Sequence, residues 1–246
     1  MFFTGKIAKI LLFIENGAVM KRKTLLTCLL IFLVFNGTLM ADEEDVQALL
    51  DRVAYQDLEG LKALIAGGAD INAQDAAYGN TALLMACAYG FTDIAKYLIS
   101  EGADVNIQET MHGYTALFGA VYHSRELVEI LLANGADIHI KSKEGITVFT
   151  ISIGAALGGG ATTDLASLFL ERGADVNESI DTEPGAGYTC LMMVARNARP
   201  DLAEFLLSNG ADVNARAKDG STALSLAMAE NDAQMVALLK ANGAAE

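Results

Sequence analysis

One string constrains this chain more than any other feature. Gly-Ala-Asp recurs at Gly68, Gly102, Gly135, Gly173 and Gly210, and a degenerate copy, Gly243-Ala244-Ala245, closes the sequence. The intervals are 34, 33, 38, 37 and 33 residues. Each of the first five copies runs on into a β-branched residue and then Asn or His: Ile71-Asn72, Val105-Asn106, Ile138-His139, Val176-Asn177 and Val213-Asn214. A period of this length is that of a small supersecondary unit that cannot bury its apolar face alone. Neighbouring units must therefore stack, and the core runs along the whole array.

A second marker keeps the same beat. A threonine opens an apolar run in Thr81-Ala82-Leu83-Leu84, Thr115-Ala116-Leu117-Phe118, Thr147-Val148-Phe149-Thr150, Thr189-Cys190-Leu191-Met192 and Thr222-Ala223-Leu224-Ser225. Each threonine hydroxyl is placed to accept from a backbone N–H in the first turn of a helix. Apolar residues then recur at helical spacing, and a second amphipathic run follows, such as Ile94, Tyr97 and Leu98. The glycine of Gly-Ala-Asp falls just past this second helix, where a left-handed terminus favours a residue without Cβ. Turn chemistry such as Asp219-Gly220 then links one unit to the next.

Period and threonine motif together resemble the ankyrin-repeat family, whose unit of about 33 residues carries Thr-Pro-Leu-His at its first helix. The resemblance covers Glu43 to Glu246. It implies an all-α ankyrin-repeat solenoid of about six helix-pair repeats with β-turn fingers, the fingers and first helices lining a concave groove. The repeats are expected at about 43–72, 73–106, 107–139, 140–177, 178–214 and 215–246. This sequence departs from the motif in two ways. Its proline is replaced by Ala82, Ala116, Val148, Cys190 and Ala223, and its histidine by Leu84, Phe118, Thr150, Met192 and Ser225. Repeat four carries extra residues around Gly158-Gly159-Gly160, and the finger of repeat five is longer around Pro184-Gly185.

Ahead of the repeats, Lys21, Arg22 and Lys23 precede an uncharged run from Leu25 to Phe35, then Asn36, Gly37 and Ala41. This is the layout of a secretory signal peptide. The run is shorter than the roughly 20 residues a spanning helix needs, so cleavage after residue 41 is expected. An uncleaved leader would tether the domain 42–246 to a membrane. Met20 stands directly before the basic cluster and is an alternative start. Lys plus Arg number 17 against 31 for Asp plus Glu. Without residues 1–41 the balance is 12 against 30, a net charge of −18. A nucleic-acid partner is excluded on that ground, because a phosphate backbone demands a basic surface.

No metalloprotease, paired-cysteine or nucleophile-elbow motif is present, and the triple glycine lacks the Gly-Lys-Ser/Thr of a phosphate-binding loop. No enzymatic activity, cofactor or metal is expected. Cys87 and Cys190 fall three repeats apart, roughly 25 Å at the 8–10 Å spacing of stacked helices, too far to bridge. They read as small core residues. The informative residues are aromatic. Tyr78, Tyr114 and Tyr188 lie in fingers, Tyr55, Tyr89 and Tyr122 at the ends of first helices, and Tyr97 alone takes an outer-helix core position. Tyrosine is enriched at binding surfaces because it offers a large rigid face with a polar tip. Tyr78, Tyr89, Tyr114, Tyr122, His123, Tyr188 and Arg196 are therefore the expected partner-binding residues, with His112 beside them. The expectation is a monomeric, non-catalytic protein-binding module, exported to a bacterial periplasm. A secreted effector or a toxin-neutralising protein is the alternative.

Overall fold

Among the described residues six helix pairs follow one another. The computed structural model describes residues 43–159, 163–180 and 187–245. The expected leader, the end of the glycine insertion in repeat four and the tip of the fifth finger at Pro184-Gly185 lie outside the described residues. The pairs are α1 (43–54) with α2 (Leu58–Ala66), α3 (Ala82–Ala88) with α4 (Thr92–Ser100), and α5 (Ala116–Ala120) with α6 (Arg125–Ala133). They continue as α7 (Val148–Leu157) with α8 (Asp164–Glu171), α9 (Cys190–Arg196) with α10 (Pro200–Ser208), and α11 (Ala223–Ala229) with α12 (Ala233–Ala241). The stack is a single compact unit over Val46–Glu246.

Every residue of the recurring string has a structural duty. The second helices end with glycines at φ between +85° and +98°, from Gly68 to Gly243. The following alanine then returns its N–H to a carbonyl five residues back, as Ala136 does to Leu131 at 3.0 Å. This is the Schellman ending that an L-residue at the glycine would strain. The aspartate accepts from the N–H two residues on, for example Asp104 from Asn106 at 2.9 Å. The asparagine ties unit to unit: Asn106 Oδ1 accepts from Asp137 N–H at 2.8 Å while its Nδ2 donates to the Gly135 carbonyl at 3.0 Å. Asn177 and Asn214 repeat both bonds two and three units further on. His139 stands in this position in repeat three, and among the described residues its ring makes no such bond.

Four threonines cap as their position predicts. Thr81, Thr147, Thr189 and Thr222 each accept from the N–H three residues later, and Ser225 completes a reciprocal capping box with Thr222. Thr115 does not. There the Phe118 N–H turns to the Thr115 carbonyl at 3.1 Å, so the first turn is tighter and α5 is the shortest first helix.

Two rows of large side chains form the core. First helices supply Leu49, Leu83, Leu117, Phe149, Leu191 and Leu224, and second helices supply Leu61, Leu98, Leu131, Phe169, Leu206 and Leu239, all at most 2% exposed. Repeat four alone places a phenylalanine in both rows. Its first helix is ten residues long, longer than those of repeats two, three, five and six, and buries seven of them. Cys87 and Cys190 are buried free thiols, and burial pushes both up to about 12.

Candidate interaction groove

Fingers rise between the helix pairs, each closed by a backbone bond across its base. Asp75 N–H donates to Asn80, Glu109 to Tyr114, Ser142 to Ile146 and Ala217 to Ser221. Only in the fifth finger do two short strands form, β1 (Ser179–Ile180) antiparallel to β2 (Tyr188–Thr189). Glutamines lace neighbouring fingers together: Gln74 Nε2 donates to the Gly79 and Gln108 carbonyls, and Gln108 Nε2 to those of Gly113 and Lys141. The motif histidine that this sequence lacks is therefore not needed to couple units. Its positions are filled by buried Leu84, Phe118, Thr150 and Met192 and by the capping Ser225.

First helices and fingers share one face. Four residues after each capping threonine stand Met85, Gly119, Ile151, Met193 and Leu226, all half-buried. Seven after it stand Ala88, Tyr122, Gly154, Arg196 and Ala229. Apart from Tyr122 and Arg196, the floor is thus built of aliphatic side chains, methionines and glycines. Two clefts open on it. One, of about 220 Å³, is lined by Leu50, Asp51, Ala54, Asp75, Ala77, Tyr78 and Met85. The next, of about 340 Å³, is lined by Tyr78, Leu84, Ala88, Met111, His112, Tyr114 and Gly119. Tyr78 and Asn80 border both clefts.

Gly119 lines the second cleft and sets how closely its two helices approach. A Cβ here would lie 2.9 Å from the Ala88 nitrogen and 3.0 Å from its Cα. The absence of a side chain lets α5 approach the backbone of α3 at the position where the other units carry Met, Ile or Leu. Gly119 was not among the expected site residues. Its signal lay in reading the units in register, where one glycine interrupts a row of large apolar residues.

The expected aromatic residues fall into two groups. Tyr55, Tyr89 and Tyr122 follow the first helices of three consecutive units and are 82%, 60% and 61% exposed. Tyr78 is also exposed, and Arg196 projects from the last turn of α9. Tyr114 and Tyr188 are half-buried instead. Tyr114 stacks between His112 and Phe118, with ring centroids 5.3 and 4.9 Å away, and the Tyr188 hydroxyl reaches Asp219 in the next finger at 3.3 Å. His123 joins the stack itself: its Nε2 lies 2.7 Å from the Ala88 carbonyl of the preceding unit. It takes the place of a turn glycine, because repeat three is one residue shorter than repeat two between its capping threonine and second helix.

Carboxylates rim this half of the groove. Asp75 accepts from the N–H groups of Ala77, Tyr78 and Asn80, and Glu109 from those of Met111, His112 and Tyr114. Burial pushes the Glu109 carboxyl up, but the N–H donors of Tyr114, Met111 and His112 outweigh it and hold the group below its ordinary range. It is ionised at neutral pH. Among the described residues no cluster of His, Cys, Asp or Glu is disposed to hold a metal, and no helix is long and apolar enough to cross a membrane.

Helix pairs stacked through glycine-ended second helices, with turns projecting as fingers over the first helices, define a solenoid of the interaction-module class. Comparison with protein families agrees: models of ankyrin repeats match residues 49–142, as three copies, and residues 174–227. The chain belongs to the ankyrin-repeat family, whose members are generally protein–protein interaction modules and typically not enzymes. The unmatched stretch between the two matches is repeat four, the unit with the glycine insertion and the doubled phenylalanines. No curated protein matches the chain as a whole.

Proposed function

We propose that this protein is an exported, non-catalytic module that holds a protein partner in the concave groove of its N-terminal repeats. The observation that carries the reading is the pair of apolar clefts bordered by the exposed Tyr78, with Tyr55, Tyr89 and Tyr122 also left exposed at the ends of three consecutive first helices. Large aromatic side chains left in water beside an apolar floor are what the buried anchors of an interface look like before binding. The leader pattern around Lys21 to Ala41 supports export to the periplasm, with mature protein beginning near Asp42.

Affinity capture from periplasmic extract, with the purified chain as bait, tests the reading. A partner retained by the native protein and released by Tyr122→Ala supports it. Equal retention by native protein and variant, with both equally folded, moves the interface off this face. N-terminal sequencing of exported material tests the location, and a leader still attached makes the protein membrane-tethered instead.

A further inference from the structure

The two clefts carry more information than their existence. They are equivalent sites on consecutive units, with Tyr78 on the border of both, and stacked helices repeat at about 8–10 Å. A single segment filling both must present two apolar side chains on one face at that spacing. In an α-helix, residues seven apart are about 10.5 Å apart and point the same way. In a β-strand, same-face residues fall at about 6.6 or 13 Å, both further from that spacing than the helix's 10.5 Å. The rim sets the charge of that segment. Asp51 and Asp75 line the first cleft and Glu109 the second, within a chain of net charge −14. Asp75 and Glu109 are held in place by finger backbone, three N–H donors each, so these charges do not swing away when a partner arrives.

We infer that the groove of repeats one to three receives a cationic amphipathic helix of the partner protein, with two apolar anchors seven residues apart flanked by lysine or arginine. The inference rests on the groove reading above and deepens it.

Four fluorescein-labelled peptides titrated into the full chain test it by anisotropy. The first is a helix-forming peptide with leucines seven apart and lysine flanks, and the second has glutamate in place of each lysine. The third has the leucines five apart, and the fourth is a proline-rich lysine peptide with leucines three apart, which a polyproline helix also sets about 9 Å apart on one face. Ala54→Leu and Ala88→Leu fill the clefts one at a time. Both alanines are exposed on helices, and denaturant melts confirm that the variants fold.

The first peptide is expected to bind at least about tenfold tighter than the other three, to weaken with added salt, and to lose about tenfold in each filled variant. Preference for the acidic or the proline-rich peptide, still lost in the filled variants, overturns the cationic helix while leaving the groove as the interface. Binding of the first peptide that neither filled variant disturbs overturns both readings. If no peptide binds while Tyr122→Ala still releases the captured partner, the helix is refuted and the groove stands.

Discussion

Two glycines in first helices invite the same substitution with opposite outcomes. At Gly119, an added Cβ would sit 2.9 Å from the nitrogen and 3.0 Å from the Cα of Ala88, and 3.1 Å from the carbonyl carbon of Cys87. All three atoms are backbone, so no side chain can rotate away, and α5 must move off α3. Overpacking of this kind costs roughly 1–3 kcal/mol. At Gly154, in α7, the added Cβ meets nothing within 4 Å. There the gain in helix propensity acts alone and stabilises by about 0.5–1 kcal/mol. The propensity gain is common to both sites, so Gly119→Ala should be less stable than Gly154→Ala by about 1–3 kcal/mol. Urea melts followed by helical circular dichroism measure the difference as a shift in midpoint at constant slope. Equal midpoints, or a Gly119→Ala variant at least as stable as the native protein, would show that α3 and α5 are not held in backbone contact.

Other substitutions probe other parts of the stack. Gly135→Ala should cost about 1–2 kcal/mol in the same melts through left-handed backbone strain alone, because its φ is +85° and a Cβ there touches nothing. The same change at Gly243, in the last unit with one neighbour, should cost less. Ala198 is held at φ +51°, so Ala198→Gly should raise stability by about 0.5–1 kcal/mol, and a lower midpoint would contradict the strain. Cys87 and Cys190, with thiols raised to about 12 by burial, should resist iodoacetamide at pH 8 until the chain unfolds; mass spectrometry of native protein showing prompt alkylation would mean that the core opens. Tyr114→Ala, which removes the ring between His112 and Phe118, should lower stability by about 1 kcal/mol or more, whereas Tyr122→Ala should leave the melt nearly unchanged and act on partner capture.

Most of the architecture was legible because the repeat states it six times over. Gly-Ala-Asp marked every second-helix ending, and the threonines marked the first helices. The local exceptions were not legible in the same way. Thr115 carries the capping residue without the cap, since whether its hydroxyl or its carbonyl receives the Phe118 N–H depends on how tightly α5 is wound. His123 is exposed, as it reads, but its bond to the Ala88 carbonyl of the preceding unit depends on the shortened connection of repeat three and shows only once the units are stacked. Of the finger tyrosines, Tyr78 is exposed while Tyr114 and Tyr188 are half-buried, a distinction set by neighbouring fingers and invisible within one unit. Register across units also carried what composition could not, the missing side chain at Gly119.

These exceptions gather in one place. Repeat three has the uncapped threonine, the short first helix, the helical glycine and the exposed Tyr122, and it borders the larger of the two clefts. Each choice works against local stability: a lost cap is worth about 1 kcal/mol and a mid-helix glycine roughly as much. The stack tolerates them because flanking units supply what repeat three lacks, with Leu117 and Leu131 fully buried between neighbours and Asn106 bonding across to Asp137 and Gly135. Sequences break local rules most often where a site requires it. Here two of the departures meet at the second cleft, which Thr115 and Gly119 both line and where Gly119 lets α5 close on the α3 backbone. Repeat four departs in the other direction, filling its core with Phe149 and Phe169, and it borders neither cleft. Irregularity of packing alone therefore does not open a cleft, and neither does a missing side chain, since Gly154 of repeat four borders neither; both clefts lie between a first helix and the finger of the next unit.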